Sequence, residues 1–166
     1  SEGRNLKTLI TTMPMVEISS YFSVSKLLPE LGWVPDAAVN AKNVEKVQTI
    51  QAGLESGVWN ESVSAPLTLT FAVLGKPSYI DSSSRTSFLK YDSSSAFIVG
   101  NLLGLVAICK TLGVKTFLFS SRLSVKEANS KSELRQRLAM ENVEVRVIFD
   151  DQRGLDGDDI IELFKQ

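Results

Sequence analysis

The chain has 166 residues, 43% of them hydrophobic and 22% charged, with a net charge of −1. That length supports one domain with its own core, and the charge gives no overall basic footprint for non-specific nucleic-acid binding. Histidine is absent and Cys109 is the single cysteine, which excludes Ser-His and Cys-His catalysis, zinc sites built on Cys or His, and an internal disulfide.

Any general acid or base must then be Asp, Glu, Lys, Tyr or Cys109. Cys109 lies inside an apolar run and reads as a small buried hydrophobe. The opening SEGRNLKTLITTMP lacks the long apolar region and cleavage pattern of a signal peptide. No apolar run reaches the roughly 18–20 residues of a membrane span. The expectation is a cytoplasmic chain without a membrane partner.

In chain order, Val16, Ile18, Tyr21, Phe22, Val24, Leu27, Leu28 and Leu31 follow a mostly helical spacing disturbed by Pro29. Residues Trp33 to Ala41 form a connector. Asn43 is the expected N-cap of an amphipathic helix carrying Val44, Val47, Ile50 and Leu54 and stopping at Gly57. After Pro66, the alternation of Leu67, Leu69, Phe71 and Val73 predicts a half-buried strand. Residues Asp81 to Ser84 read as a loop. SFLKYD and SAFIVG flank Asp92–Ser95 and predict an antiparallel hairpin. Leu102 to Leu112 predicts an apolar helix and Val114 to Phe119 a strand. A long polar helix capped by Ser124 follows, supported by Glu133 and Arg137 four residues apart. Val143 to Phe149 alternates as a strand, and Asp158 opens a final helix. The fold class is mixed α/β: a mixed sheet with a hairpin and flanking helices, in a single domain over 1–166. In that domain a helical N-terminal part, about 1–60, packs on an α/β part, about 61–166.

The stretch IVGNLLGLVAICKTLGVKTFLFSSR, Ile98 to Arg122, reads as strand, tight turn, helix and strand. One functional reading is nucleotide binding: Gly100, Asn101 and Gly104 at the turn, with Arg122 holding a 2′-phosphate of NADP. Against it, the place where the dinucleotide fingerprint needs its second glycine is Leu102, whose side chain obstructs close approach of a pyrophosphate. The other reading is that two glycines serve only a tight strand-to-helix turn.

The wider frame is NVEKVQTIQAGLESG, then PLTLTFAV, FLKYDSSSAFIV, the turn, and VEVRVIFDDQRGLDGDDIIELFKQ. Over roughly residues 40–166 this order and hydrophobic pattern resemble the DGQHR-domain family, relatives of the ParB/sulfiredoxin-like fold found in systems linked to DNA sulfur modification. Phe149-Asp150-Asp151, Gly154-Leu155 and Leu163-Phe164 stand where that family's acidic loop and closing helix fall. The signature itself is replaced: Gly100, Asn101, Leu102, Leu103 and Gly104 occupy its Asp, Gly, Gln, His and Arg positions. No functional residue carries over, and no catalytic role or cofactor is expected. The resemblance implies a non-catalytic binding or regulatory module in a DNA-linked mobile or defence context.

A helix apolar around its whole circumference, as Leu102–Leu112 is, must be buried all round. Either the N-terminal helices cover it, or a second subunit does in a homo-oligomer. Arg122, Lys126, Lys131, Arg135 and Arg137 gather on one polar helix and form either a modest phosphate-binding face or a solvated face interleaved with Glu127, Glu133 and Glu141. The acidic group Asp150, Asp151, Asp156, Asp158 and Asp159 lacks the ligand ladder of a calcium loop and reads as a solvated loop with Asp at a helix N-terminus. No metal site is expected.

Overall fold

Four strands run side by side through the centre of the molecule. In the computed structural model, which describes residues 5–24, 41–56, 67–82, 86–113, 126 and 131–165, the strands are β1 (Lys7–Pro14), β2 (Thr68–Val73), β3 (Ser78–Asp81), β4 (Ser87–Lys90), β5 (Ala96–Gly100) and β6 (Asn142–Phe149). The main sheet has the order β1-β6-β2-β5; β3 and β4 form a separate two-stranded sheet. β6 lies antiparallel to β1 and parallel to β2, and β5 is antiparallel to β2. The mixed sheet with a hairpin and flanking helices is the architecture expected.

The described α-helices are α1 (Ile18–Tyr21), α2 (Ala41–Ser56), α3 (Leu102–Leu112), α4 (Ser132–Ala139) and α5 (Gly157–Lys165). Strand alternation sorts the core into two layers. Leu69, Phe71 and Val73 of β2, Ile98 of β5 and Val143, Val145, Val147 and Phe149 of β6 meet Leu102, Leu105, Ile108 and Cys109 of α3 on one face. On the other, Ala72, Phe97 and Val99 meet Leu155 and Ile160. β2 keeps the predicted alternation through Thr68 and Thr70, which are half-buried, but its second half, Phe71 to Val73, is buried on both sides.

α3 is buried within the chain. Leu105, Val106 and Ala107 are fully buried. Val106 and Ala107 pack against Val47 of α2, with Ile50 and Leu103 alongside. The seam proposed for a partner subunit is thus filled by α2. Gln51 Nε2 donates to Thr111 Oγ1 at 3.4 Å across the same contact. Cys109 is buried, and burial pushes its thiol up to about 12, so it behaves as the small hydrophobe its context predicts.

Four expectations need correction. β1 was not foreseen: its mate in sequence lies at the far end of the chain, and its partner pairing, Lys7 with Phe149 through Pro14 with Asn142, is invisible locally. The N-terminal part is consequently not purely helical. Of the helix read over Val16–Leu31, the described part is a 3₁₀ turn, Met15–Glu17, and the single turn α1, with Phe22 already extended; residues 25–31 fall outside the described residues. Phe22 stacks on Phe71 with ring centroids 3.9 Å apart, and Ser23 N–H donates to Ala96 O at 2.9 Å. Those contacts draw the chain onto the sheet and outweigh helical spacing. SFLK pairs with SYID rather than with AFIVG. Asp92 Oδ1 accepts from Ser94 N–H and Ser94 Oγ, which sets a 3₁₀ turn over Ser93–Ser95 and sends the chain from the small sheet into the main one. α2 begins at Ala41, so Asn43 lies inside it. The connector over 33–40, Gly57, the strand over 114–119 and Ser124 fall outside the described residues.

Candidate functional site

The turn between β5 and α3 is built from three small or polar residues. β5 carries an extra residue against β2, since Thr70 pairs with Gly100 but Phe71 with Ile98; such a bulge bends a strand end. Gly100 passes so near Thr70 that a Cβ there would lie 3.0 Å from Thr70 Cβ. Asn101 then turns left-handed, φ 65° and ψ 51°, a conformation asparagine tolerates better than most residues. Its Oδ1 accepts from Gly104 N–H at 3.1 Å, and its Nδ2 donates to Thr68 O at 3.1 Å. The close fit explains Gly104: a Cβ there would come within 2.7 Å of the Asn101 side chain.

This geometry bears directly on the nucleotide reading. The amide of Gly104, one of the first-turn donors a phosphate at the turn would use, is taken by Asn101. Leu102 is buried in the main core. The turn is closed by its own N-cap, and the Gly100, Asn101 and Gly104 trio is brought together as a cap rather than as a cradle. Arg122, the fourth member of that reading, lies outside the described residues. Beside the turn a cavity of about 500 Å³ is lined by Lys42, Glu45, Lys46, Thr49, Ile50, Asn101 and Leu103. Sequence reasoning did not find it, because it depends on α2 lying against the start of α3.

The basic residues are placed unevenly. Lys126 is exposed. Lys131 Nζ pairs with Glu55 Oε1 at 3.2 Å, and Arg137 Nη2 donates to Glu55 O at 3.3 Å. Two of the cations therefore hold α4 to the end of α2, and Arg137 serves that contact rather than a bond to Glu133. Arg135, between them on α4, is half-buried.

The acidic loop after β6 is an organised turn. Asp150, fully buried, accepts from Asn5 N–H (3.1 Å), Gln152 N–H (2.9 Å) and Arg153 N–H (3.0 Å). The Arg153 and Gln152 amides, with those of Asn5 and Gly154, hold its carboxyl below the usual carboxylate range against the opposing effect of desolvation. Asp151 pairs with Lys7 Nζ at 2.8 Å. Asp156 and Asp159 cap α5 reciprocally: Asp159 N–H donates to Asp156 Oδ1 and Asp156 N–H to Asp159 Oδ2, both at 2.9 Å. The expected solvated loop is thus corrected in part, since Asp150 and Asp159 are buried. Gly154, at φ 80°, lies where a Cβ would meet Gly75 O at 2.9 Å; this lets Leu155 and Gly75 exchange two backbone bonds of 2.8 and 3.1 Å and seat Leu155 in the second core layer. Among the described residues, no group of three or more Cys, Asp or Glu side chains is arranged to hold a metal ion.

No family model matches the chain, and neither the curated proteins nor the solved structures include a match.

Proposed function

We propose that the chain is a non-catalytic binding or regulatory module of the DGQHR/ParB-like type, self-associating and linked to DNA. The observation that carries the non-catalytic part is the hydrogen bond from Gly104 N–H to Asn101 Oδ1, which commits the strand-to-helix turn to holding its own helix. The left-handed Asn101 stands where the resemblance has the glycine of the signature, and a position that wants φ above zero suits both residues. Leucines at the following two positions, one buried and one half-buried, supply no group able to move a proton. The DNA link draws on the resemblance and on Lys126 and Lys131 near α4. Lys131 keeps half of its side chain exposed while paired, so it can exchange Glu55 for a phosphate.

The test is thermal stability at low salt with NADP, with ATP and with a short DNA duplex, because a ligand that binds only the native state raises the melting temperature. The reading predicts no shift with either nucleotide and a rise with DNA that fades as salt increases. A rise with NADP or ATP overturns the non-catalytic reading; no rise with DNA removes the DNA link.

A further inference from the structure

The two outer edges of the main sheet differ. At β5 the outward carbonyl of Ala96 is taken by Ser23 N–H at 2.9 Å, and α5 packs alongside. At β1, among the described residues, no strand pairs with the outer edge. The bond from Met15 N–H to Glu141 O, 2.9 Å, continues the β1–β6 ladder one step past Pro14 and Asn142. Antiparallel ladders alternate, so Lys7, Leu9, Thr11 and Met13 turn their backbone groups to β6, while Thr8, Ile10 and Thr12 turn theirs outward. The side chains of Thr8, Ile10 and Thr12 are exposed, Ile10 at 61%, and Leu6 on the same alternation is 49% exposed. An edge left unpaired among the described residues, β-branched and with an exposed isoleucine, is a template for another strand.

We propose that β1 pairs antiparallel with β1 of a second copy, Ile10 opposite Ile10, joining the two four-stranded sheets into one. The strand is self-complementary about that point. Thr8 falls opposite Thr12 of the copy, and both present outward backbone groups, so all three pairs exchange N–H···O bonds. Threonine meets threonine and isoleucine meets isoleucine on one face, which are favourable cross-strand pairs. Lys7, the single charge on β1, falls opposite Met13 of the copy, so no like charges meet. Room for the incoming strand exists: a cleft of about 800 Å³ runs beside Lys7–Thr11, walled by Tyr79, Asp81 and Ser87 of the small sheet. Thr11 of the copy enters opposite Leu9, facing a wall whose Ser87 Oγ and Asp81 carboxylate are already hydrogen-bonded at 3.1 Å and accept a further hydroxyl. This inference gives the self-association in the reading above a surface and does not depend on its DNA link.

The experiment is light scattering behind gel filtration over a range of concentrations, with two kinds of variant. Wild type is expected to be a dimer that dissociates on dilution. Ile10→Lys sets two like charges opposite each other at the axis and should abolish the dimer with an unchanged melting curve of the monomer, since Ile10 is mostly exposed. Ile10→Cys should cross-link to dimer under mild oxidation, because directly opposed residues of a hydrogen-bonded pair lie about 5.5 Å apart at Cα, within disulfide range; Thr8→Cys, which faces Thr12, should not. Buried Cys109 does not compete. A monomeric wild type at every concentration, a dimer that survives Ile10→Lys, or equal cross-linking of Thr8→Cys and Ile10→Cys overturns the pairing. The DNA result is independent of all three.

Discussion

At the β5–α3 junction one neutral side chain, Asn101, closes the turn; at the β6–α5 junction Asp150, Asp156 and Asp159 share the work. Both junctions hand a strand of the main sheet, β5 at its edge and β6 inside it, to a helix that lies on a face of the sheet, α3 on one side and α5 on the other. Helix starts leave backbone donors without partners inside the helix, and buried ones must find an acceptor. The first junction is short, so a single left-handed residue reaches both ways, to Gly104 N–H and to Thr68 O. The second is longer, and its carboxylates take the amides of the loop in turn. The difference teaches how to read polar clusters at such junctions. A glycine turn before a helix and a run of aspartates before a helix both look like ligand sites, and here each serves its own backbone.

The comparison can be broken with five substitutions at four positions. Leu105→Ala, at a fully buried position of α3, should cost about 2–5 kcal/mol in a denaturant melt, because it removes core contact and leaves a cavity. Asp150→Asn should have a smaller effect at neutral pH and a distinctive one in acid. The ionised Asp150 is favoured by its amides, so its stabilisation is complete above the unfolded carboxyl value of about 3.9 and is lost as pH falls through the lower folded value. Melting temperatures followed into acid should therefore fall more steeply below that point for wild type than for Asp150→Asn. Asn101→Ala loses the cap, worth about 0.5–2 kcal/mol, and adds the strain of a β-carbon at φ 65°. Asp156→Ala loses a cap of the same range without that strain, so it should be the milder of the two in the same melt. Asn101→Gly keeps the left-handed turn and should cost only a few tenths of a kcal/mol. The order Asn101→Ala above Asp156→Ala above Asn101→Gly is the sharpest reading of how the junctions differ.

Much of the sheet was legible because its strands carry period-two patterns that end at turn residues. Leu67 to Val73 and Val143 to Phe149 are of this kind, and α3 runs over the Leu102–Leu112 predicted. The helix is bounded by two left-handed residues, Asn101 and Gly113, which are readable as caps. β1 was not legible, because Leu9, Thr11 and Met13 alternate with Thr8, Ile10 and Thr12, and neither set is clearly apolar or polar. Only pairing with β6 decides which set is inside. The pairing of SFLK failed for a related reason: Asp92 redirects the chain through a local hydrogen bond that spacing alone does not reveal. At the turn, Gly100, Asn101 and Gly104 do meet, but whether such a trio cradles a ligand or caps a helix depends on the rotamer of Asn101, which spacing does not reveal. The double role of Glu55 toward Lys131 and Arg137 was equally hidden, since it needs α4 to lie across the end of α2.

The most direct test of the closed turn is amide hydrogen exchange at Gly104, measured by NMR with and without NADP. The account predicts an amide protected like those in the body of α3, because Asn101 Oδ1 accepts from it, and no change on adding NADP. An amide that exchanges freely in the unliganded chain and becomes protected when NADP is added would contradict it.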